Sequence, residues 1–206
     1  SKFVDFCVRH GFAGTEMLAG IPGTLGGALI MNAGAYGGEI SDHLIDVTLL
    51  RDGEVLTLPG QECGFRYRNS DLRGDIVLSA RFALPKGSED ELRARRKELL
   101  LKRNAAQPVN YPNAGSIFKN PKGQFAARLI EECGLKGQTF GGARVSELHA
   151  NFIVNAEHAS AMDIIDAINH VRRVVLEAKG VELELEIQLI GFPSDVIVPL
   201  RRASQV

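Results

Sequence analysis

The sequence lacks several features that would place it in a common class of protein. Its three cysteines are widely spaced and form no CxxC pair, which disfavours a disulfide framework and favours the reducing cytoplasm. The five histidines show none of the spacings of sequence-local metal sites, so we expect no metal centre. No apolar run approaches the roughly 18 residues of a membrane span. The net charge of −1 gives no electrostatic reason to expect nucleic-acid binding.

Glycine, in contrast, is concentrated in one stretch, residues 19–38. Each glycine costs a regular helix or strand about 0.5–1 kcal/mol, so we predict loops rather than regular elements here. Glycine-rich turns expose backbone N–H groups that can cradle a phosphate. The motif is neither a P-loop nor the Rossmann fingerprint. A set of tight turns in a small β-sheet is the simpler alternative.

The remaining elements alternate without regular βαβ units, which favours an α+β fold. Periodicity and capping predict helices at residues 2–10, 88–103, 125–133 and 161–179. Alternation and turn signals predict strands at residues 44–51, 54–58, 75–84, 150–155 and 181–191, with a hairpin turn at Asp52 and Gly53. Pro108 and Pro112 indicate a domain boundary. We therefore predict domains at 1–107 and 108–192, followed by a tail at 193–206 without an assigned role.

Three further motifs carry candidate chemistry, and each has a simpler interpretation. Arg68, in FRYRNS, has a planar guanidinium that suits a carboxylate, but it can also be a solvated residue of a surface strand. Ser116, in PNAGSIFKNP, can donate a proton from a loop, or it can cap a helix. Three carboxylates share one face of the last predicted strand, and alternation does not distinguish them: Glu182, Glu184 and Glu186.

Five motifs between residues 14 and 192 resemble, in order and spacing, the UDP-N-acetylenolpyruvoylglucosamine reductase (MurB) family in its shorter, second structural type. They are GIPGTLGGALIMNAGAYGGE, ECGFRYRNSDLR, QPVNYPNAGSIFKNPKG, GARVSELHANFIVN and LELEIQLIGF. The resemblance implies part of a two-lobed FAD-binding domain of the vanillyl-alcohol-oxidase (PCMH) type, followed by an α+β substrate-binding domain. It also implies that NADPH reduces FAD, and that hydride then converts UDP-N-acetylglucosamine enolpyruvate to UDP-N-acetylmuramate for peptidoglycan synthesis.

The resemblance assigns roles to individual residues. Ser116 matches the proton donor, and Arg68 and Glu186 match the pair that binds and polarises the substrate carboxylate. Three residues match positions that line the substrate, the last two near its diphosphate: Tyr67, Lys119 and Asn120. Nine match flavin-binding positions: Ile21, Pro22, Gly23, Thr24, Gly26, Gly27, Asn32, Gly34 and Ala35.

The family has further N-terminal residues that supply another lobe of the FAD site, and nothing in this sequence matches them. We therefore expect a chain without that lobe. The alternative function is a UDP-sugar binding fragment without catalysis. A general FAD oxidase is disfavoured, because it has no need for NAGSIFKNP together with Arg68 and Glu186. The sequence indicates no oligomeric state.

Overall fold

The computed structural model describes residues 2–193 and 195–199. The chain forms two compact units, Ser1–Arg103 and Asn104–Val206, each with its own hydrophobic core. Both units combine helices with antiparallel sheets, which confirms the α+β prediction. The domain limits predicted at residues 107 and 192 stay predictions. Within the predicted tail, residue 194 and residues 200–206 lie outside the described part of the chain.

The first unit is built on a three-stranded antiparallel sheet with strand order β4-β3-β5. The elements that begin in this unit are helices α1 (Lys2–Arg9), α2 (Leu25–Ile30) and α3 (Glu89–Ala106), and strands β1 (Gly34–Ala35), β2 (Gly38–Glu39), β3 (Leu44–Arg51), β4 (Glu54–Pro59) and β5 (Ile76–Phe82). Short 3₁₀ helices lie at Glu16–Leu18, Ile40–His43 and Gly60–Glu62. Asp52 and Gly53 both have positive φ, as the predicted hairpin turn requires.

The glycine-rich stretch does contain regular structure, so the prediction of loops alone is wrong. Helix α2 forms there because Thr24 caps it and Leu29 is fully buried beneath it. A Cβ on Gly26 would lie 3.3 Å from the Cβ of Val77, which is tighter than ordinary contact. Glycine at this position therefore allows α2 to pack closely against β5, and this packing offsets the low helix propensity of glycine.

The second unit is organised around the long helix α5. Its elements are helices α4 (Ala126–Glu132) and α5 (Ala161–Lys179) and strands β6 (Thr139–Phe140), β7 (Ala143–Val145) and β8 (Ile153–Asn155), in the antiparallel order β6-β7-β8. Ser160 and Asp163 form a capping box at the start of α5, and Gly180 ends it in the left-handed conformation. Ile168, Val171 and Val175 are buried on its inner face, as the periodicity predicts.

Residues 181–191 are not a regular strand, so that prediction is only partly right. The alternation survives, because Leu183 is fully buried and Leu185 packs against the core. A single antiparallel bridge joins Leu185 to Phe118. The ladder is short because its partner, residues 117–119, offers only a few backbone groups. The predicted strand 150–155 is similarly reduced to β8, since its first residues turn back on His149.

The described part of the C-terminal tail is attached to α5. Asn169 donates a hydrogen bond from Nδ2 to the carbonyl oxygen of Val196 and accepts one at Oδ1 from the amide of Val198. Arg172, which is almost fully buried, donates to the carbonyl oxygens of Leu183 and Val198. The described part of the tail is therefore packed on the second unit. Of the helices that the described residues form, none has the length and apolar character needed to cross a membrane.

Candidate functional site

An exposed turn of residues 21–24 precedes helix α2 in the first unit. The hydroxyl of Thr24 accepts a hydrogen bond from the amide of Gly27 at 3.0 Å, which fixes the end of the turn. Gly23 has a φ of 126°, and a Cβ there would meet nothing within 4 Å. The backbone of this turn thus faces open space. Its N–H groups can be offered to an anionic group of a ligand.

The loop of residues 31–35 is held by Asn32, which is buried in the left-handed conformation. Its Nδ2 donates to the carboxylate of Glu39 and to the carbonyl oxygen of Arg66. Its Oδ1 is buried and, within residues 2–193 and 195–199, accepts no hydrogen bond. At Gly34 a Cβ would lie only 2.4 Å from the carbonyl oxygen of Gly38, so no larger residue fits.

The open turn and the unsatisfied amide oxygen fit a flavin nucleotide. The turn suits its pyrophosphate, and Asn32 Oδ1 suits a hydroxyl or N–H donor. Both features belong to segments in which the resemblance places flavin-binding residues. The individual flavin assignments remain predictions.

Arg68 lies against the glycine-rich loop of the first unit. Its Nη2 donates a hydrogen bond to the carbonyl oxygen of Gly34 at 2.8 Å, and its guanidinium carbon lies 4.8 Å from the ring centre of Tyr67. Arg68 is half-buried and has a φ of 54°, a backbone conformation that is uncommon outside glycine. Ser70 supports the same loop by donating to the carbonyl oxygen of Ile30 at 2.7 Å. The structure therefore brings the FRYRNS and MNAGA motifs together.

In the second unit, the segment that follows Ser116 pairs with the segment that carries Glu186. The amide of Glu186 donates to the carbonyl oxygen of Ile117 at 2.8 Å, and the amide of Lys119 donates to that of Glu184 at 2.8 Å. Ile117 and Phe118 are 1% exposed, whereas Ser116 and Glu186 are half-buried. Ser116 does not cap a helix, because the next helix, α4, begins only at Ala126. A hydroxyl and a carboxylate thus stand at the ends of two paired segments.

The structure distinguishes the three carboxylates that alternation left equivalent. Glu182 is exposed and pairs with Arg172 at 3.2 Å. Glu184 is exposed and forms an ion pair with Lys119. Glu186 is the one that is half-buried, on the segment paired with the residues after Ser116. Partial burial therefore separates Glu186 from Glu182 and Glu184, and its catalytic role remains a prediction.

The two other substrate-lining candidates of the second unit have local partners. Lys119 is mostly buried and lies in the ion pair with Glu184. Asn120 accepts a hydrogen bond at Oδ1 from the amide of Ala126 at 3.0 Å, which satisfies a backbone donor at the start of α4. Both residues lie close in sequence to Ser116, but their substrate-binding roles remain predictions.

Asn151, in the SELHANF motif, supports the Ser116 segment, and sequence reasoning did not single it out. Asn151 is 3% exposed and bonds through both backbone and side chain to residues 117 and 118. Ser146, also buried, accepts hydrogen bonds at Oγ from the amides of Leu148 and His149. The local sequence offered no signal for Asn151, because four of the seven residues of SELHANF are polar and burial is not visible in the sequence. In the described part of the chain, no group of three or more potential metal ligands comes together.

Comparison with known protein families agrees with the two-unit structure. Residues 1–59 match the model of an FAD binding domain, and residues 107–190 match the model of the UDP-N-acetylenolpyruvoylglucosamine reductase C-terminal domain. The expected combination of part of an FAD-binding domain with a second α+β domain is thereby confirmed.

Similar proteins give the same result over most of the chain. UDP-N-acetylenolpyruvoylglucosamine reductases from Pediococcus pentosaceus and Agathobacter rectalis are each 49% identical, over 91% and 87% of this chain. The chain spans 63% and 58% of the lengths of these two relatives. The crystal structure of UDP-N-acetylenolpyruvylglucosamine reductase (MurB) from Thermus caldophilus matches with a TM-score of 0.81 and 40% identity, covering 91% of this chain and 68% of that one. The chain belongs to the UDP-N-acetylenolpyruvoylglucosamine reductase (MurB) family.

Proposed function

We propose that the protein containing this chain reduces the enolpyruvyl ether of UDP-N-acetylglucosamine to UDP-N-acetylmuramate, with FAD as cofactor and NADPH as reductant. The observation that carries this proposal is the pairing of the Ser116 and Glu186 segments, in which the amide of Glu186 donates to the carbonyl oxygen of Ile117 at 2.8 Å. This pairing presents a hydroxyl and a carboxylate from two hydrogen-bonded segments of the second unit. Family membership supports the same reaction.

When bound, FAD would supply the hydride, received from NADPH, that adds to the methylene carbon of the enolpyruvyl group. Hydride addition leaves negative charge on the carbon beside the carboxylate, and this carbon then requires a proton. Ser116 is the proposed donor of that proton from Oγ. Glu186 is proposed to share a proton with the developing enol, and Arg68 to hold the substrate carboxylate. Arg68 suits this role because a guanidinium binds a carboxylate with two parallel hydrogen bonds.

The other proposed contacts follow from charge and position. Lys119 and Asn120 are proposed to lie near the diphosphate of the substrate, and Tyr67 to line the substrate site.

We also propose a cytoplasmic location. Cys7, Cys63 and Cys133 are all free thiols, which supports a reducing compartment.

The test follows the visible absorbance of the flavin in the natural full-length protein under anaerobic conditions. NADPH is added first, and UDP-N-acetylglucosamine enolpyruvate is added after the absorbance has stopped changing. We expect NADPH to bleach the flavin and the substrate to restore its colour, with one UDP-N-acetylmuramate formed for each flavin reoxidised.

Each other outcome would contradict a different part of the proposed function. Bleaching without recovery would indicate a flavoprotein that acts on another oxidant. A protein that binds the UDP-sugar but no flavin would favour the alternative, a binding module without catalysis. Recovery with UDP-N-acetylglucosamine that lacks the enolpyruvyl group would contradict the proposed reaction, because that compound has no double bond to accept the hydride.

A further inference from the structure

We propose that Asn151 is a positioning residue that holds the Ser116 segment in register against the segment of Glu186. Asn151 is 3% exposed, so its side chain is buried and is not proposed to contact the substrate. Its effect on turnover would be exerted through other residues. The catalytic consequence rests on the proposed function, whereas the structural part of the proposal stands on the hydrogen bonds alone.

Asn151 occupies the edge of residues 117–118 that lies opposite the Glu186 segment. The amide of Ile117 donates to the backbone carbonyl oxygen of Asn151 at 2.8 Å. The amide of Phe118 donates to Asn151 Oδ1 at 3.0 Å, and Asn151 Nδ2 donates to the carbonyl oxygen of Phe118 at 2.8 Å. One side-chain amide therefore satisfies both backbone groups of a buried residue, in the way that a neighbouring β-strand would.

No other side chain can replace this amide without loss. Aspartate has the same shape but no donor, so the carbonyl oxygen of Phe118 would lose its partner and a charge would be buried. Leucine would leave both backbone groups of Phe118 unsatisfied in an apolar core. Glutamine keeps the donor and the acceptor, but an added methylene displaces them. The requirement is for one donor and one acceptor at a fixed spacing, which asparagine supplies.

The backbone of Asn151 is itself anchored. Its amide donates to Nδ1 of His149 at 3.3 Å, and the amide of Phe152 donates to the carbonyl oxygen of His149 at 3.0 Å. Phe152 in turn accepts from the amide of Ser146 at 2.9 Å. The side-chain amide of Asn151 is thus held by a turn with several internal hydrogen bonds. These bonds limit how far the side chain can move if the Ser116 segment is displaced.

The consequence reaches both candidate catalytic groups. The carbonyl oxygen of Ile117 accepts from the amide of Glu186, so a change in the position of residues 117–118 is transmitted to Glu186. Ser116 is covalently joined to Ile117 and has the same dependence. Because displacements of about 1 Å can cost roughly 10²-fold in rate, the fixed register matters for a proton transfer.

The test compares Asn151→Asp and Asn151→Gln with Ser146→Ala in the natural full-length protein. Ser146 is a matched control, because it is buried in the same turn and its hydroxyl accepts two backbone hydrogen bonds, from the amides of Leu148 and His149 rather than from residues 117–118. The first readout is amide hydrogen exchange at residues 117–119 and 185–187, which requires no activity. The second is the rate constant of flavin reoxidation by substrate, alone and in the Ser116→Ala background.

We expect Asn151→Asp to accelerate exchange at the amide of Glu186 by about tenfold or more, because the carbonyl oxygen of Phe118 would then face an oxygen instead of a donor and the segment would shift. The amide of Phe118 keeps a carboxylate oxygen as its acceptor, so its exchange should change less. Ser146→Ala should leave the amide of Glu186 near the wild-type rate. Asn151→Gln should give a smaller acceleration. We expect Asn151→Asp to slow reoxidation at saturating substrate by about tenfold or more, leaving flavin reduction by NADPH unchanged. In the Ser116→Ala background the same substitution should have a smaller effect, since only the part exerted through Glu186 remains.

Unchanged exchange at Glu186 in Asn151→Asp would overturn the proposal, as would equal effects of Asn151→Asp and Ser146→Ala on that amide. Full additivity with Ser116→Ala would also overturn it, because a general loosening of the unit predicts that result. If the wild-type protein fails to reoxidise with substrate, the proposed function fails. The exchange data then still decide whether Asn151 holds the register.

Discussion

The guanidinium of Arg68 donates a hydrogen bond from Nη2 to the carbonyl oxygen of Gly34 at 2.8 Å. The two residues are 34 positions apart in the chain, and the bond joins the FRYRNS motif to the glycine-rich loop. Arg68 makes this contact from a left-handed backbone conformation. Glycine at position 34 allows the loop to pack closely on itself, because a Cβ there would lie 2.4 Å from the carbonyl oxygen of Gly38. A residue proposed to hold the substrate carboxylate is thereby oriented by a loop proposed to hold the flavin.

This relationship predicts that Arg68→Lys impairs the substrate half-reaction. An ammonium group cannot maintain the fixed fork of hydrogen bonds that a guanidinium makes, and a hydrogen bond to a charged group contributes about 1.5–3 kcal/mol. We expect flavin reoxidation by substrate to slow by about tenfold or more. Arg66→Lys is the matched control, because Arg66 lies in the same motif and forms an exposed ion pair with Asp71. Equal losses in the two variants would contradict the assignment.

Ser116→Ala should leave flavin reduction by NADPH intact and slow reoxidation by substrate. Loss of a positioned proton donor costs roughly 10²–10⁴-fold in rate. Rapid mixing of prereduced enzyme with substrate measures the second step directly. Ser79→Ala, at an exposed position of β5, serves as the control. Equal slowing of both half-reactions in Ser116→Ala would count against a role as proton donor.

Flavin reoxidation by substrate should slow much more in Glu186→Gln than in Glu184→Gln. Gln at position 186 cannot share a proton with the developing enol, so we expect reoxidation to slow by roughly 10²-fold or more. Gln at position 184 removes an ion pair between an exposed carboxylate and Lys119, and we expect less than about a threefold change. Single-turnover rates with saturating substrate provide the comparison. A larger loss of reoxidation rate in Glu184→Gln would indicate that Glu184, and not Glu186, is the functional carboxylate.

Asn169→Ala should detach the described part of the tail from α5. The substitution removes hydrogen bonds to the backbone of Val196 and Val198, so we expect the free energy of unfolding to fall by about 1–3 kcal/mol. Amide exchange at residue 198 should accelerate at the same time. Asp166→Asn, on an exposed position of the same helix, is the control. Unchanged exchange at Val198 would refute the attachment.

Stability should decrease as the pH falls below about 6.5 because of His149. Burial lowers the pKa of His149 from its ordinary value of 6.5, and the charge of Lys136 acts in the same direction, opposed by Glu131. The neutral ring also accepts a hydrogen bond at Nδ1 from the amide of Asn151. In this pH range the unfolded chain binds more protons than the folded one, so the free energy of unfolding decreases with falling pH until the folded pKa is passed.

His149→Asn is the variant that tests this prediction. An asparagine oxygen can accept the same amide hydrogen bond but does not titrate. Denaturant unfolding between pH 8 and about pH 5 should therefore show a shallower loss of stability in the variant than in the wild type. If the free energy of unfolding depends on pH equally in the variant and the wild type, groups other than His149 cause the loss of stability.

Local patterns predicted the long elements well, and tertiary contacts account for the failures. Helix α5 was predicted because its apolar period and terminal glycine both lie within its own sequence. Helix α2 was missed because glycine has a low helix propensity, and only close packing on Val77 explains why glycine is used there. The strand predicted at residues 181–191 shortened to one bridge because its partner segment is brief.

The candidate site shows the same division. Its motifs, including Ser116, Arg68 and Glu186, were identified from the order and spacing of residues along the chain. Asn151 was missed, since its importance depends on residues 117 and 118, which are more than 30 positions away. Nothing in the local sequence distinguishes a buried asparagine that satisfies a distant backbone from one that lies on the surface.

The sequence by itself determined the helical and strand periodicities, the turn at Asp52 and Gly53, and the set of polar motifs, because these depend on neighbours along the chain. Only the tertiary structure decided which of the three glutamates is half-buried, where Arg68 makes its hydrogen bond to Gly34, and which side chain braces the Ser116 segment. The reason is physical. Burial and hydrogen-bond partners are set by residues that folding brings together from distant positions, and no local pattern records them.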